Sequence, residues 1–319
     1  MAAPICKSQK DRTMKNPAKA VSPLAISQVL VALELGQSDE ATLQYLHHLC
    51  GQLPVQKLHF LHVLPRFDAL HAFPGRETAN GLNSYEVNEE VRQQMEERIQ
   101  AALGDNAALQ ANFEIREGEP LEELLNEAKE SDADLLVIGQ NSGEGRHGIL
   151  GKNLARRSTA NVWVVPDHAK AQIHHILVPI DFSAYSTKAL KAAIALRDEL
   201  SGAVQITALH VYEMPDLSVY KIQRTPAQFE RMLRKDHEEA FEAFLHTHFP
   251  KEKEGIATRL VLKEGPGIAH YLMGTARESG ADLIIMGAKG HSKVERLLLG
   301  SVTERLLMQN EQTPVLVVK

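Results

Sequence analysis

Short runs of uninterrupted apolar residues alternate along the chain with longer segments in which apolar positions recur at helical spacing. In the C-terminal half, residues 175–180 form one apolar run, and it is followed by 186–200, where Leu190, Ile194, Leu196 and Leu200 approximate the spacing of one helix face. The same alternation predicts strands over 204–211, 257–262, 282–286 and 315–318, and helices over 228–249, 268–279 and 301–309. Strands that are apolar on both faces and separated by helices belong in a parallel sheet covered on both sides and joined by right-handed crossovers. The N-terminal half repeats the order, with strands expected at 28–33, 57–63, 112–116, 135–139 and 162–165.

The repetition extends to residues. Ala128-Lys129-Glu130-Ser131-Asp132-Ala133-Asp134-Leu135 is answered by Ala276-Arg277-Glu278-Ser279-Gly280-Ala281-Asp282-Leu283, with six of eight positions identical, and Leu61-His62-Val63 by Leu209-His210-Val211. A period of about 148 residues is one domain per copy and not a solenoid unit. The predicted organisation is an N-terminal arm over 1–22, a first domain over 23–166 and a second over 174–319. The fold class is α/β: two tandem, doubly wound, five-stranded parallel sheets with flanking helices, Rossmann-like in plan.

Composition narrows the possibilities. With 44% hydrophobic and 24% charged residues the chain is too apolar to be disordered, and a net charge of −6 gives no chain-wide grip on nucleic acid. No apolar run approaches the roughly 18 residues of a membrane span, so membrane insertion is not expected. Cys6 and Cys50 offer neither a disulfide framework nor a thiolate metal site, which makes a reducing cytoplasm the default compartment. The arm carries Lys7, Lys10, Arg12, Lys15 and Lys19 against Asp11 but no apolar core of signal type, and reads as a frayed terminus.

The candidate chemistry lies after the fourth strand of the second copy. Met286-Gly287-Ala288-Lys289-Gly290 is followed by nine residues and then by Gly300-Ser301-Val302-Thr303 at a helix start. Glycines allow φ > 0 and close approach, the helix start supplies unpaired N–H groups and its positive dipole end, and Ser301 and Thr303 add hydroxyls. Phosphate oxygens suit such a loop. The structural alternative is that Gly287 and Gly290 leave a buried strand while Ser301 caps a helix.

The spacing Gly287-x2-Gly290-x9-Gly300-Ser301 resembles the nucleotide-binding motif of the universal stress protein family. The opening Ile176-Leu177-Val178-Pro179-Ile180-Asp181-Phe182-Ser183 and the strand end Leu209-His210-Val211 are similar to that family's first two strands. The resemblance implies ATP as ligand, with Mg²⁺ or Mn²⁺ arriving on the phosphates. Pro179, Asp181 and Val211 would then meet adenine or ribose, and Met286, Gly287, Gly290, Gly300, Ser301, Val302 and Thr303 the ribose and phosphates. It also implies pairing of last strands, here 162–165 with 315–318 within one chain, giving a pseudo-dimer with which a further homodimer is compatible. The expected role is that of a nucleotide-dependent stress-response regulator with slow or absent hydrolysis and no catalytic residue.

Two alternatives stand beside it. One is an ATP-consuming enzyme, an ATPase or adenylyl-transferring relative, in which Lys289, His291 or Asp181 acts on phosphate or water; Lys293 and Arg296 share the loop and could neutralise a triphosphate. The other is metabolite binding by the first half, which departs from the motif: Glu34 stands where Asp181 does, Ser142 replaces Gly290, and Lys152 follows Gly151 where Ser301 follows Gly300. Gly143-x-Gly145-x-x-Gly148 imitates a dinucleotide fingerprint but follows the fourth strand instead of the first. Of the fifteen histidines, the pairs His47/His48, His59/His62, His174/His175 and His246/His248 form no complete ligand set, and no metal site is expected.

Overall fold

The computed structural model describes residues 24, 26–36, 38–64, 84–104, 110–142, 148–215, 225–290 and 299–319. The first half runs β1 (Gln28–Leu33), α1 (Ser38–Cys50), β2 (Lys57–Leu64), α2 (Ser84–Leu103), β3 (Gln110–Glu117), α3 (Pro120–Glu130), β4 (Leu135–Gln140), α4 (Ile149–Arg157) and β5 (Asn161–Pro166). The second runs β6 (His175–Pro179), α5 (Ala184–Glu199), β7 (Gln205–Glu213), α6 (Pro226–His248), β8 (Ile256–Lys263), α7 (Ile268–Ser279), β9 (Leu283–Gly287), α8 (Ser301–Gln309) and β10 (Val315–Val318), with a 3₁₀ turn at Lys253–Gly255 before β8. The order agrees with the hydrophobic pattern, and most boundaries move by a residue or two. The arm over 1–22 lies outside the described residues.

The two five-stranded parallel sheets join edge to edge through their last strands, the pairing of 162–165 with 315–318 that the resemblance implies. The strands form one ten-stranded sheet in the order β3-β2-β1-β4-β5-β10-β9-β6-β7-β8, parallel within each half and antiparallel at the β5–β10 seam. The reason is the apolar character of both last strands. Val162, Trp163, Val317 and Leu316 are fully buried, and the register sets Leu316 against Trp163 and Val317 against Val162. Left apart, each half would expose an unpaired apolar edge.

Alternation along the strands sends Val29, Val31, Val137, Trp163, Ile176, Val178 and Leu316 to one core, and Leu30, Leu136, Val162, Leu177, Ile284 and Val317 to the other. The repeated Ala-Asp-Leu tripeptide has a structural cause. Asp134 Oδ2 accepts from the Ser27 and Gln28 amides at 3.1 and 2.9 Å, and Asp282 Oδ2 accepts from those of His174 and His175 at 2.8 and 3.0 Å. In each half, then, the start of β4 or β9 fastens the start of the neighbouring central strand.

The seam is reinforced beside the sheet. Arg156 donates to Glu304 at 2.8 Å, Lys152 Nζ lies 3.5 Å from the same carboxylate, and the Gln140 amide donates to Asn310 O at 2.8 Å. Gly148 takes φ 67° and leaves no room for a Cβ against the Leu307 carbonyl, which lets the start of α4 lie against the end of α8. On the other face of the sheet, Trp163 meets Tyr45 of α1 edge-on, ring centroids 5.7 Å apart. Truncating a fully buried Trp costs about 3–5 kcal/mol. Trp163→Ala is expected to lower the unfolding free energy by that amount in a denaturant titration followed by circular dichroism; a loss under about 1 kcal/mol would show that the seam does not hold the halves together.

Candidate functional site

In each half the strand order reverses between the first and fourth strands, β1/β4 and β6/β9, and ligand sites of such sheets lie beyond the carboxyl ends at that point. In the second half a cavity of about 230 Å³ opens there. All ten predicted site residues line it: Pro179, Asp181, Val211, Met286, Gly287, Gly290, Gly300, Ser301, Val302 and Thr303. Ile180, Leu209, His210, Ile268 and Leu272 add an apolar wall and one imidazole, and Lys289 a cation.

The turn from β6 into α5 shapes one side. Phe182 takes φ 63°, a left-handed conformation costing a bulky residue of order 1–2 kcal/mol, and its ring packs on His210 (4.5 Å), Phe241 (5.6 Å) and Phe244 (5.6 Å). The turn lets Asp181 Oδ1 accept the Ser183 amide at 3.1 Å, while Ser183 itself caps α5 by accepting from the Ser186 amide at 3.2 Å. Asp181 is therefore not the helix cap.

The glycines act differently from one another. A Cβ at Gly287 would lie 2.7 Å from the Tyr185 Cβ, so this residue is needed for the packing of α5. A Cβ at Gly290 would lie 2.5 Å from Asp181 Oδ2, so the loop passes directly over the carboxylate. Gly300 precedes α8 with φ −63°, accepts no strain, and offers the helix no side-chain cap, leaving its first turn facing the cavity. The expected positive φ is absent from Gly287, Gly290 and Gly300 alike, and at Gly300 a Cβ would meet only ordinary contacts with the Ala288–Gly290 backbone. The Thr303 hydroxyl donates to Gly287 O at 3.0 Å and is buried, so it braces the loop at the same time as the residue lines the cavity. Ser301 is exposed at the mouth. His291, Lys293 and Arg296 lie outside the described residues, as do residues 143–147 of the first half's loop.

Sequence reasoning missed His210. Its Nδ1 donates to Ile180 O at 2.7 Å, so Nε2 accepts from His237 Nδ1 at 3.1 Å. Burial lowers the pKa of His210, outweighing the Ile180 carbonyl, and His237 adds to the fall. The Leu-His-Val repeat was the signal, since His62 makes the same bond to Leu33 O at 2.8 Å.

The first half keeps that scaffold and changes the lining. Leu35 repeats the left-handed turn with φ 58°. Asp167 Oδ2 accepts the Ser142 amide at 3.0 Å, its other oxygen accepts the Ser142 hydroxyl, and Asn141 donates to Glu34 at 3.4 Å. Burial raises the pKa of Glu34, with the Asp39 charge adding to the rise, and burial raises that of Asp39 against the opposing pull of the Glu34 and Leu35 amides and Arg98. Burial also pushes the Cys50 thiol up to about 11, which leaves it protonated and a poor nucleophile.

The universal stress protein family model matches the chain twice, over residues 26–166 and 172–319. The chain belongs to the universal stress protein family. Among curated universal stress proteins it is similar to MJ0531 of Methanocaldococcus jannaschii, 33% identical over 144 residues covering 45% of this chain and 81% of that one. It is also similar to YxiE of Bacillus subtilis, 30% identical over 148 residues covering 45% and 97%. A solved universal stress protein from Archaeoglobus fulgidus shares the tandem-length fold, with a TM-score of 0.61 at 20% identity over 92% of this chain and 98% of that one. No helix among the described residues of this universal stress protein is long and apolar enough to cross a membrane.

Because His210 is held neutral when folded, the unfolded chain binds the extra proton. Stability from this group is full above the usual imidazole value of about 6.5 and is lost as pH falls through the lower native value. The denaturation midpoint of the wild type is expected to fall more steeply between pH 6.5 and 5 than that of His210→Gln. Parallel curves would remove His210 as the cause.

Proposed function

We propose that this protein is a nucleotide-binding regulator of the stress-response type, and that the second half holds ATP in the cavity at the ends of β6, β7 and β9. The observation that carries the reading is the convergence of the Gly287-x2-Gly290-x9-Gly300-Ser301 loop, Asp181 and Val211 on that one cavity. Its volume of about 230 Å³ is below the roughly 300–1,000 Å³ of sites that enclose a whole drug-sized ligand. It suits the base and ribose against Pro179, Asp181 and Val211, with the phosphates at the mouth. There the uncapped amides of α8 and the Ser301 hydroxyl meet negative charge, aided by the helix dipole and by Lys289. A Mg²⁺ or Mn²⁺ ion would ride on the phosphate oxygens.

Asp181 is engaged by the Ser183 amide and covered by Gly290, a placement that suits accepting a hydrogen bond from a ribose or base better than activating water. His210 is bonded through both ring nitrogens, so it too is occupied. The proposal is accordingly retention of ATP, with binding altering what the protein contacts, and turnover slow or absent. The two carboxyls and tied loop of the first half favour a different ligand or a purely structural role there.

Titration with a fluorescent ATP analogue tests this. Ser301→Glu adds negative charge where a helix tolerates it and a phosphate does not, so the fold is expected to survive while affinity drops at least about tenfold. Gly290→Ala is expected to weaken binding by displacing Asp181, whereas Gly287→Ala should act mainly on stability, through Tyr185. Equal affinity in the wild type and Ser301→Glu would refute the proposal, and phosphate release clearly above a buffer blank would favour the ATP-consuming alternative.

A further inference from the structure

Outside the nucleotide cavity, the first half places His59 of β2, Glu114 of β3 and Glu127 of α3 around one point on the sheet face covered by α3. His59 Nε2 lies 3.7 Å from Glu114 Oε2 and 3.3 Å from Glu127 Oε1. These spacings are close to the roughly 3.4 Å edge of a tetrahedron with metal–ligand bonds of about 2.1 Å. The Nε2 atom is shut off from solvent and makes no hydrogen bond. His59 Nδ1 meets Asn112 Oδ1 at 2.9 Å, and since a carbonyl oxygen accepts, Nδ1 carries the hydrogen and the Nε2 lone pair faces the two carboxylates. That is the orientation a second-shell partner gives a metal-binding imidazole.

The charge balance calls for a cation. Arg116 lies 2.7 Å from Glu114, 3.8 Å from Glu123 and 3.3 Å from Glu130, and it pairs with Glu127 as well. One guanidinium therefore serves four carboxylates. Its contact with Glu127 uses Oε2 and leaves Oε1 toward His59, while on Glu114 it donates from Nε to Oε1 and from Nη2, at 3.4 Å, to Oε2, the oxygen nearer His59 that a metal would share with it. Glu127 is 8% exposed and Glu114 43%, giving a buried floor and a path from solvent.

The duplication supplies an internal comparison. The second half has Thr207, Arg259 and Thr275 at the matching positions, and there Arg259 pairs with Glu278 at 2.8 Å. The two copies share the fold that brings these positions together, but the ligand set belongs to the first. We infer that His59, Glu114 and Glu127 bind a divalent transition-metal cation of the Zn²⁺ type, with water completing the coordination and Asn112 orienting His59. The sequence reading found no ligand set because it paired histidines with histidines, while the partners of His59 are glutamates 55 and 68 residues away.

The test uses the full chain, freed of metal with a chelator and then titrated with Zn²⁺ against a chromophoric competitor. The expected result is one high-affinity site that weakens at least about tenfold in His59→Ala and in Asn112→Ala, and that is unchanged in His246→Ala. Co²⁺ should give the visible d–d bands of a low-coordinate site in the wild type and lose them in His59→Gln. Thermal unfolding of each variant without metal separates a folding defect from lost ligation. Equal Zn²⁺ affinity in folded wild type and His59→Ala, or no site tighter than the competitor, would overturn the inference and leave a proton on His59 as the balancing charge.

Discussion

The antiparallel pairing of β5 with β10 is the constraint on which the rest of the molecule depends. A five-stranded doubly wound sheet ending in an apolar strand cannot leave that edge open, and a duplicated chain can close two such edges on each other. Closing them fixes the relative placement of the halves, because Trp163, Leu316 and the glycine contact at 148 admit one register. It also recruits residues from the glycine loops. Lys152, which stands where Ser301 does in the other copy, directs its ammonium at Glu304 across the seam. A cation that sequence alone would assign to an anion is thereby engaged in holding the two halves together.

Much of this was legible in the sequence. Continuous apolar runs marked the central strands, and the repeat supported the more polar edge strands β3 and β8, because buried parallel strands and amphipathic helices are local signals. The ten residues that line the cavity were legible through the resemblance: the glycine spacing matches the family's motif, and Pro179, Asp181 and Val211 follow from that likeness and not from spacing. What was not legible depends on contacts between segments far apart. Nothing local marks Phe182 and Leu35 as left-handed, since bulky residues adopt that turn where surrounding packing compensates, as the aromatic set His210, Phe241 and Phe244 does for Phe182. The bond from the Thr303 hydroxyl to the Gly287 carbonyl was not legible for a related reason: it joins residues 16 positions apart across the loop.

The two copies separate packing from chemistry more clearly than either would alone. Held in common are the aspartates that fasten the central strands, the imidazoles bonded to a strand-end carbonyl, the left-handed turn, and the glycines at 139 and 287, where a side chain would collide with α1 and α5, the helices that follow the first strand of each half. All of these act within the fold. Among the positions that differ, Glu34 for Asp181, Ser142 for Gly290 and Lys152 for Ser301 are matched in the second half by residues that line its cavity.

That division bears on how the second half works. If Gly290 served only the chain's path, a serine at its counterpart would be out of place in the first half. Ser142 is instead accommodated there by two bonds to Asp167 and by the absence of a short aspartate beneath it. Conversely, Asp181 sits where a Cβ on Gly290 would strike its carboxylate, so the short acid and the bare backbone form a matched pair. A carboxylate kept beneath a stretch of exposed backbone, beside a helix start with no side-chain cap, sets a hydrogen-bond acceptor next to a bank of donors. A nucleotide presents the complementary order, with ribose hydroxyls followed by phosphate oxygens, and under the proposed function these are the positions at which it would tell the two copies apart.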